Sequence, residues 1–569
     1  MFPVWQQPGA THFRYVALDL DSARSYFCCK LQICYALVTR AHQILGRNMA
    51  KSANDGFEIC HSPATLAVST PWQIRRDERL RAEEGRIDRD APHRIGLVYP
   101  SPYHVGMSSL GYQSVYRLIQ SQPDFCAERV FLPDDLDAGS PSDEPATSLE
   151  SDRQLADFPT IAVSVAYELE IAGLIRLLEQ ARLPVLRAER GLNHPLMIAG
   201  GPLTFSNPVP LLPFVDVLVV GEAEETLGFV LQAIRDELPR RVLLERLATH
   251  PNIVVPAIDD RKALVVGKAD DALLPAYSVI RTPHTELSDM FLIEAERGCS
   301  RGCQYCVMRR STNGGMRILD QNKLLSLVPE GAKKVGLVGA AVSDHPAIVE
   351  IVSALAQQGK RVGLSSLRPD KLKEPFVRAL GHAGYRTLTT ALDGPSARMR
   401  QVIDRRSKED HYRQAAALAR KYGMDRLKLY LMVGLPGEAD EDIDECARFV
   451  SELSKIIPVA LGISPFCAKR NTPLDGVPFA GVSRVQSRLE RLRRALAGKA
   501  DVRATSARWG WVEHVLSQGG QLEGLAVLEA VHAGGRFADY RRAFERLGHR
   551  PDGAAAKKSI APRTRLRTV

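Results

Sequence analysis

A chain of 569 residues with 45% hydrophobic and 25% charged residues has the make-up of a soluble globular protein of several domains, with apolar side chains enough for a large core. Its ten cysteines are scattered, which excludes a secreted disulfide framework, and no run of about 18 apolar residues is present, which excludes an ordinary membrane-spanning helix. The net charge of +9 owes much to a basic C-terminal tail (Lys557, Lys558, Arg563, Arg565, Arg567), read here as a solvated end rather than a nucleic-acid contact.

Taken in chain order, residues 1–91 form an extension. Its first 48 residues lack organised pattern, and Met49-Ala50-Lys51 would make a natural start. The apolar stretch 31–39, between Lys30 and Arg40, is too short to span a bilayer and lacks the cleavage site of a signal peptide. Dense charge over 73–90 predicts an exposed helix. Short apolar runs then predict strands over 94–99, 127–132, 160–165, 195–199 and 215–220, with helices over 112–120 and 170–181 between them. This alternation predicts an α/β, Rossmann-like, doubly wound parallel domain over 92–245. Such sheets hold ligands beyond the carboxyl ends of their strands, where the loops at 100–111, 200–202 and 221–226 collect.

A linker over 246–284 leads to a second domain over 285–480. Strands are expected over 289–294, 334–338, 361–364, 387–390, 426–433 and 460–464, with helical stretches such as 346–358 and 373–383 between them. About six such units suit a partial (β/α) barrel with its chemistry at the carboxyl edge. Residues 481–569 are predicted to be helical, with apolar side chains at helical spacing over 484–496 and Trp509 and Trp511 packing in that region.

The run Glu296-Arg297-Gly298-Cys299-Ser300-Arg301-Gly302-Cys303-Gln304-Tyr305-Cys306 carries the clearest chemistry. Three thiolates at this spacing can hold three irons of a cubane and leave the fourth iron open, the mark of a cluster that reacts rather than only relays electrons. Arg297, Arg301 and Arg309 add positive charge beside it. A zinc site or unrelated thiols are the alternatives, but zinc asks for a fourth ligand, usually from two separated pairs.

This run resembles the signature of the radical S-adenosylmethionine (radical SAM) enzymes. The resemblance implies a 4Fe-4S cluster on Cys299, Cys303 and Cys306, S-adenosylmethionine chelated to the open iron, and Tyr305 beside the adenine. It also implies that Gly339 meets the methionine amino group, that Ser365 and Arg368 serve the ribose and carboxylate, and that Asp393 stands where relatives carry a longer acid. Arg398 and Arg400 follow as candidates for the same carboxylate. The strand and turn 428–438 match relatives closely, and 463–466 with Lys469, Thr472 and Pro473 match a loop near the substrate.

The N-terminal loops resemble the cobalamin-binding domain of one class of these enzymes. The implied cofactor contacts are Tyr103, His104, Gly106, Ser108, Gly200, Gly201, Gly221 and Glu222. An Asp-x-His-x-x-Gly run would supply histidine to cobalt, but Pro102 stands where the Asp belongs, so base-off cobalamin is expected. The implied activity is methyl transfer to an unactivated carbon of a small-molecule substrate, with a cobalamin-dependent radical cyclisation or rearrangement as the alternative. Methylthio transfer would need three further N-terminal cysteines, and Cys126 is the only one between Arg94 and Arg297. An electron donor such as flavodoxin or ferredoxin and a reducing, cytoplasmic compartment complete the expectation.

Overall fold

Apolar runs alternating with amphipathic stretches can bury both faces of a sheet only by placing helices over it. The computed structural model describes residues 70–134, 145–258, 263–308, 315–365, 367–553 and 565–568. Residues 1–48, the start at Met49 and Arg309 lie outside the described residues. Among the described residues no helix is long and apolar enough to cross a membrane.

The first sheet is built from β1 (His93–Pro102), β2 (Phe125–Leu132), β3 (Thr160–Ser164), β4 (Leu196–Gly200), β5 (Val217–Val219) and β6 (Ile253–Val254). Their order is β2-β1-β3-β4-β5-β6, with every pair parallel except the last. The strand order reverses between β1 and β3, which makes that crevice the switch point of the sheet. The stretch expected as a linker is more than that. It supplies β6, antiparallel to β5, and then β7 (Ala263–Val266).

The second region holds β8 (Met290–Glu294), β9 (Glu296–Gly298), β10 (Met316–Ile318), β11 (Lys334–Val338), β12 (Arg361–Leu364), β13 (Thr387–Asp393), β14 (Arg426–Val433), β15 (Val459–Pro465) and β16 (Ala500–Ala504). They form a parallel sheet in the order β12-β11-β8, a second in the order β13-β14-β15-β16, and an antiparallel hairpin of β9 and β10. β16 falls in the stretch predicted to be wholly helical. Its alternating half-buried and exposed residues, Asp501 and Arg503 among them, give no apolar run to read. The basic tail also departs from a purely solvated end, since β17 (Arg565–Thr568) pairs with β7. Helices Val482–Ala495, Ala507–Gln518, Gln521–His532 and Phe537–Arg546 complete the C-terminal region. Trp511 is buried there against Phe537 and Phe544, and Trp509 packs edge-on to Tyr540.

The charged stretch before the first sheet is anchored rather than merely exposed. Its helix ends at Ala82, and Glu83 turns inward. The fully buried Arg129 of β2 forks onto both Glu83 oxygens at 2.7 Å and reaches Glu150 through Nε at 2.6 Å. A bidentate guanidinium is what makes two buried carboxylates tolerable. Replacing Arg129 by Met should leave both acids uncompensated and cost about 3–5 kcal/mol in urea unfolding. A loss below about 1 kcal/mol would contradict this account.

Candidate active site

The cysteine run leaves β8 at its carboxyl end and is carried by the β9/β10 hairpin, in which Gly298 faces Met316. Gly298 has φ +89°, a left-handed turn that a side chain would strain, and it delivers the chain into Cys299. Cys299, Cys303 and Cys306 are all half-buried, and none of them is in a disulfide. The Arg301 N–H points at Cys299 Sγ at 3.4 Å. Burial pushes the Cys299 and Cys303 thiols up, and each also feels Cys306, so the three sit within one another's field. Among the described residues no three such side chains converge on a point tightly enough to grip a single ion. Around zinc, with Zn–S about 2.3 Å, sulfurs must close to about 4 Å of one another. Zinc also asks for a fourth ligand, so the three-thiol donor set at this spacing fits an iron–sulfur cluster with an open iron better than zinc.

Arg405, which sequence reasoning missed, is a cation in whose field Cys303 sits. It pairs with Asp393 at 2.8 Å. Burial works against its charge, but Asp393 first, then Tyr305, Tyr412 and Cys303, outweigh that and hold it ionised. Asp393 sits at φ +61°, past a register shift at the end of β13, and is buried. The expected partners of this acid lie elsewhere. Arg398 pairs with Asp442, and Arg400 is buried with its Nη1 reaching Gly394 O at 3.4 Å. Tyr305 packs against the cluster of Met399, Ile403, Leu435, Phe466 and Ala468.

Gly339 and Ser365 end neighbouring strands and are brought together. Ser365 Oγ donates to Gly339 O at 2.8 Å and accepts from Gly339 N at 3.0 Å. A Cβ on Gly339 would stand 2.2 Å from Glu296 Oε1, so this edge is shaped by Glu296. Arg368 is not open to a ligand carboxylate as expected. It is buried, and its fork is taken by Asp344 and Asp370, the latter also holding Arg301 at 3.1 Å. On the matching strand 426–433, the turn is closed by Glu438, which accepts from Gly434 N and pairs with Arg488 at 2.8 Å.

The N-terminal candidates answer to the protein itself. Tyr103 is fully buried and donates to Glu83 at 2.7 Å. A Cβ at Gly106 would lie 2.4 Å from the Phe131 ring, at Gly201 2.7 Å from Val165 O, and at Gly221 2.4 Å from Gly267 N. Gly200 makes only ordinary contacts, the nearest 3.6 Å from Val219 O. Ser108 Oγ donates to His104 O at 2.7 Å. Glu222 is buried against Arg297 and Arg317. His104 has a carboxylate neighbour after all, for Asp134, beyond β2, stands 3.9 Å from its Nδ1. A side chain at Gly106, Gly201 or Gly221 would therefore not fit, and Tyr103, Ser108 and Glu222 each have a partner within the chain.

Comparison with known proteins places two families on the chain. Residues 111–256 match the family of N-terminal domains of radical SAM proteins, and residues 293–450 match the radical SAM superfamily. An uncharacterized protein of Methanocaldococcus jannaschii is 28% identical over 395 residues, 68% of this chain and 80% of that protein. The tRNA-2-methylthio-N(6)-dimethylallyladenosine synthase of a Sulfurihydrogenibium species is 25% identical over 40% of this chain, which spans only 55% of that enzyme. Among solved structures, the cobalamin-dependent S-adenosylmethionine radical enzyme OxsB with aqua-cobalamin and S-adenosylmethionine bound aligns at TM-score 0.44 and 11% identity, over 81% of this chain and 71% of that one.

Glu296, three residues before Cys299, yields a test of this geometry. It is fully buried, with Oε1 accepting from Ala341 N at 2.6 Å. Burial first, with Glu294 adding, lifts its carboxyl from 4.5 to about 8. Between those values the unfolded chain has released the proton that the folded protein keeps. Stability is therefore lost as pH rises through that window. Glu296→Gln can keep the accepted bond and cannot ionise. Its stability relative to wild type should rise between about pH 5 and about pH 8, by on the order of 1 kcal/mol or more. Parallel stability–pH curves for the two proteins would show that Glu296 is not held neutral.

Proposed function

This chain carries the domains of a radical SAM protein, and on that premise we propose that it cleaves S-adenosylmethionine at an open-iron 4Fe-4S cluster held by Cys299, Cys303 and Cys306. The reading is carried by one observation: three half-buried thiols on a hairpin-closed loop at the carboxyl end of β8, with Cys303 in the field of Arg405. Such a cluster, once reduced, supplies a 5′-deoxyadenosyl radical that takes hydrogen from substrate. The chain's own part is to seat and shield. Tyr305, packed on Met399 and Phe466, walls one side of the loop. Arg405 shares its charge between Asp393 and Cys303 and fixes the loop against β13. We place β8 and β11 to β16 in one partial barrel that encloses a small-molecule substrate at its carboxyl edge. A flavodoxin or ferredoxin would serve as electron donor in a reducing cytoplasm.

For the use of the radical, methyl transfer with cobalamin as carrier asks the N-terminal loops for a corrin seat. The strand order β2-β1-β3-β4-β5 supports that reading, and the internal partners of Gly106, Gly201, Gly221 and Glu222 oppose it. The cobalamin-dependent cyclisation or rearrangement expected as the alternative would ask for the same seat; a radical cyclisation or rearrangement without cobalamin asks nothing of those loops, and we carry that reading forward. Methylthio transfer, the activity named for the Sulfurihydrogenibium relative, would draw a second cluster from the N-terminal domain. Cys126 cannot start one, because its thiol is buried in β2 against Ala91 O.

The test is anaerobic reconstitution followed by reduction with S-adenosylmethionine present. Wild type should hold a full iron load and release 5′-deoxyadenosine. Cys299→Ala, Cys303→Ala and Cys306→Ala should each lose cleavage by at least about a hundredfold and part of the iron. A single variant that keeps full iron and full cleavage would overturn the assignment of that cysteine.

A further inference from the structure

Among the described residues, the carboxyl edge of the first sheet, where a doubly wound fold binds its ligand, is occupied at the ends of β1, β3, β4 and β5. At the end of β1, Ser101 Oγ donates to Glu170 Oε1 at 3.1 Å, and Glu170 Oε2 accepts from Ala166 N, beyond β3, at 2.6 Å. These bonds join the two sides of the switch point. The helix Glu170–Gln180 presses on the same place, since a Cβ at Gly173 would stand 2.1 Å from Pro100 O. Also beyond β3, the buried Glu168 takes Lys469 Nζ on both oxygens at 2.8 Å and Ser517 Oγ at 2.7 Å. Beyond β4, Asn207 donates to Leu516 O and Gly519 O at 2.8 and 2.9 Å, and Ser206 O accepts from Asn471 at 2.8 Å. Beyond β5, Glu222 and Glu224 take Arg297 at 3.1 and 2.7 Å, and Glu222 also takes Arg317.

Those partners come from three places: the segment after β15, the helix Ala507–Gln518 with the turn after it, and the hairpin that carries the cysteines. All are parts of this chain. We propose that the carboxyl edge of the N-terminal sheet is an intramolecular dock that seats no corrin or nucleotide, and that it holds the barrel's last loop and, through Glu222 and Glu224, the Arg297 end of the cysteine hairpin. Beyond β3 and β5 a ligand disc would have to displace a buried carboxylate from its cation, leaving both charges unpaired, and beyond β4 it would have to break the bonds of Asn207. The inference rests on the sheet and its partners alone and stands whether or not the chain cleaves S-adenosylmethionine.

The full-length, cluster-loaded chain is incubated with excess hydroxocobalamin and passed through gel filtration, and cobalt is measured. The expected retention is below about a tenth of an equivalent; near one cobalt per chain would overturn the proposal. Hydrogen exchange tests the dock directly with shape-conserving variants that weaken the ion pairs. Glu222→Gln should speed exchange in peptides covering 295–303 by about tenfold and leave 507–519 unchanged, and Glu168→Gln should do the reverse. Unchanged exchange at the facing peptide in both variants would show that these pairs do not hold the elements together, and would overturn the dock even if no cobalt were retained.

Discussion

Arg297 is the point on which the architecture turns. Its half-turned guanidinium, largely buried, meets Glu294 at the end of β8, Glu222 beyond β5 and Glu224 on the helix that follows. Glu222 is shared with Arg317 of β10, and it also accepts from Ala269 N at 2.8 Å. Glu294 accepts from Ala276 N at 3.1 Å. Two cations and three carboxylates thus fasten the first sheet, the segment before β8, β8 itself and the cysteine hairpin in one knot. A buried charge that loses its partner costs far more than the pair contributes. No member can leave alone, so the beginning of the cysteine loop is as fixed as the sheet behind it.

That knot revises what the sequence implied about Arg297. Read along the chain, an arginine two positions before a cluster cysteine looks like a counter-charge for an anionic core. In the fold its charge is spent on three glutamates. The same holds for Glu222, which looked like part of a ligand loop because nothing nearby in sequence could pair with it. Its partners lie 75 and 95 residues away. Long-range charge pairing has no local signature, and this is why these partners could not be read from the loops while the strands feeding them could.

Legibility followed the same rule elsewhere. The strands of both parallel sheets could be read because buried strands are continuous apolar runs, and the cysteines because metal-ligand spacing is local. The strands β9, β10 and β16 escaped notice because three to five residues of mixed polarity carry no period, and β6 and β7, though apolar, because two and four residues are too short to stand out in a stretch read as a linker. Arg405 escaped because its meaning depends on Asp393, across the helix Ala397–Val402, and on Cys303, about a hundred residues earlier in the chain. Asp134 escaped as the neighbour of His104 for the same reason, since it comes from a different strand end.

The arginines around the cysteine loop show a further constraint. Among the described residues, Arg301 is matched by Asp370, Arg368 by Asp344 and Asp370, Arg405 by Asp393, and Arg297 by its three glutamates. A site meant only to neutralise thiolates would leave some of these guanidiniums unpaired. Pairing them keeps their geometry as donors and anchors while cancelling most of their field. A co-substrate such as S-adenosylmethionine brings a sulfonium, an ammonium and a carboxylate together, and a strongly positive cleft would repel two of the three groups. Balanced pairs admit such a molecule and still hold the loops rigid. That is a reason, in charge alone, why the acids near the cluster accompany the arginines rather than being absent.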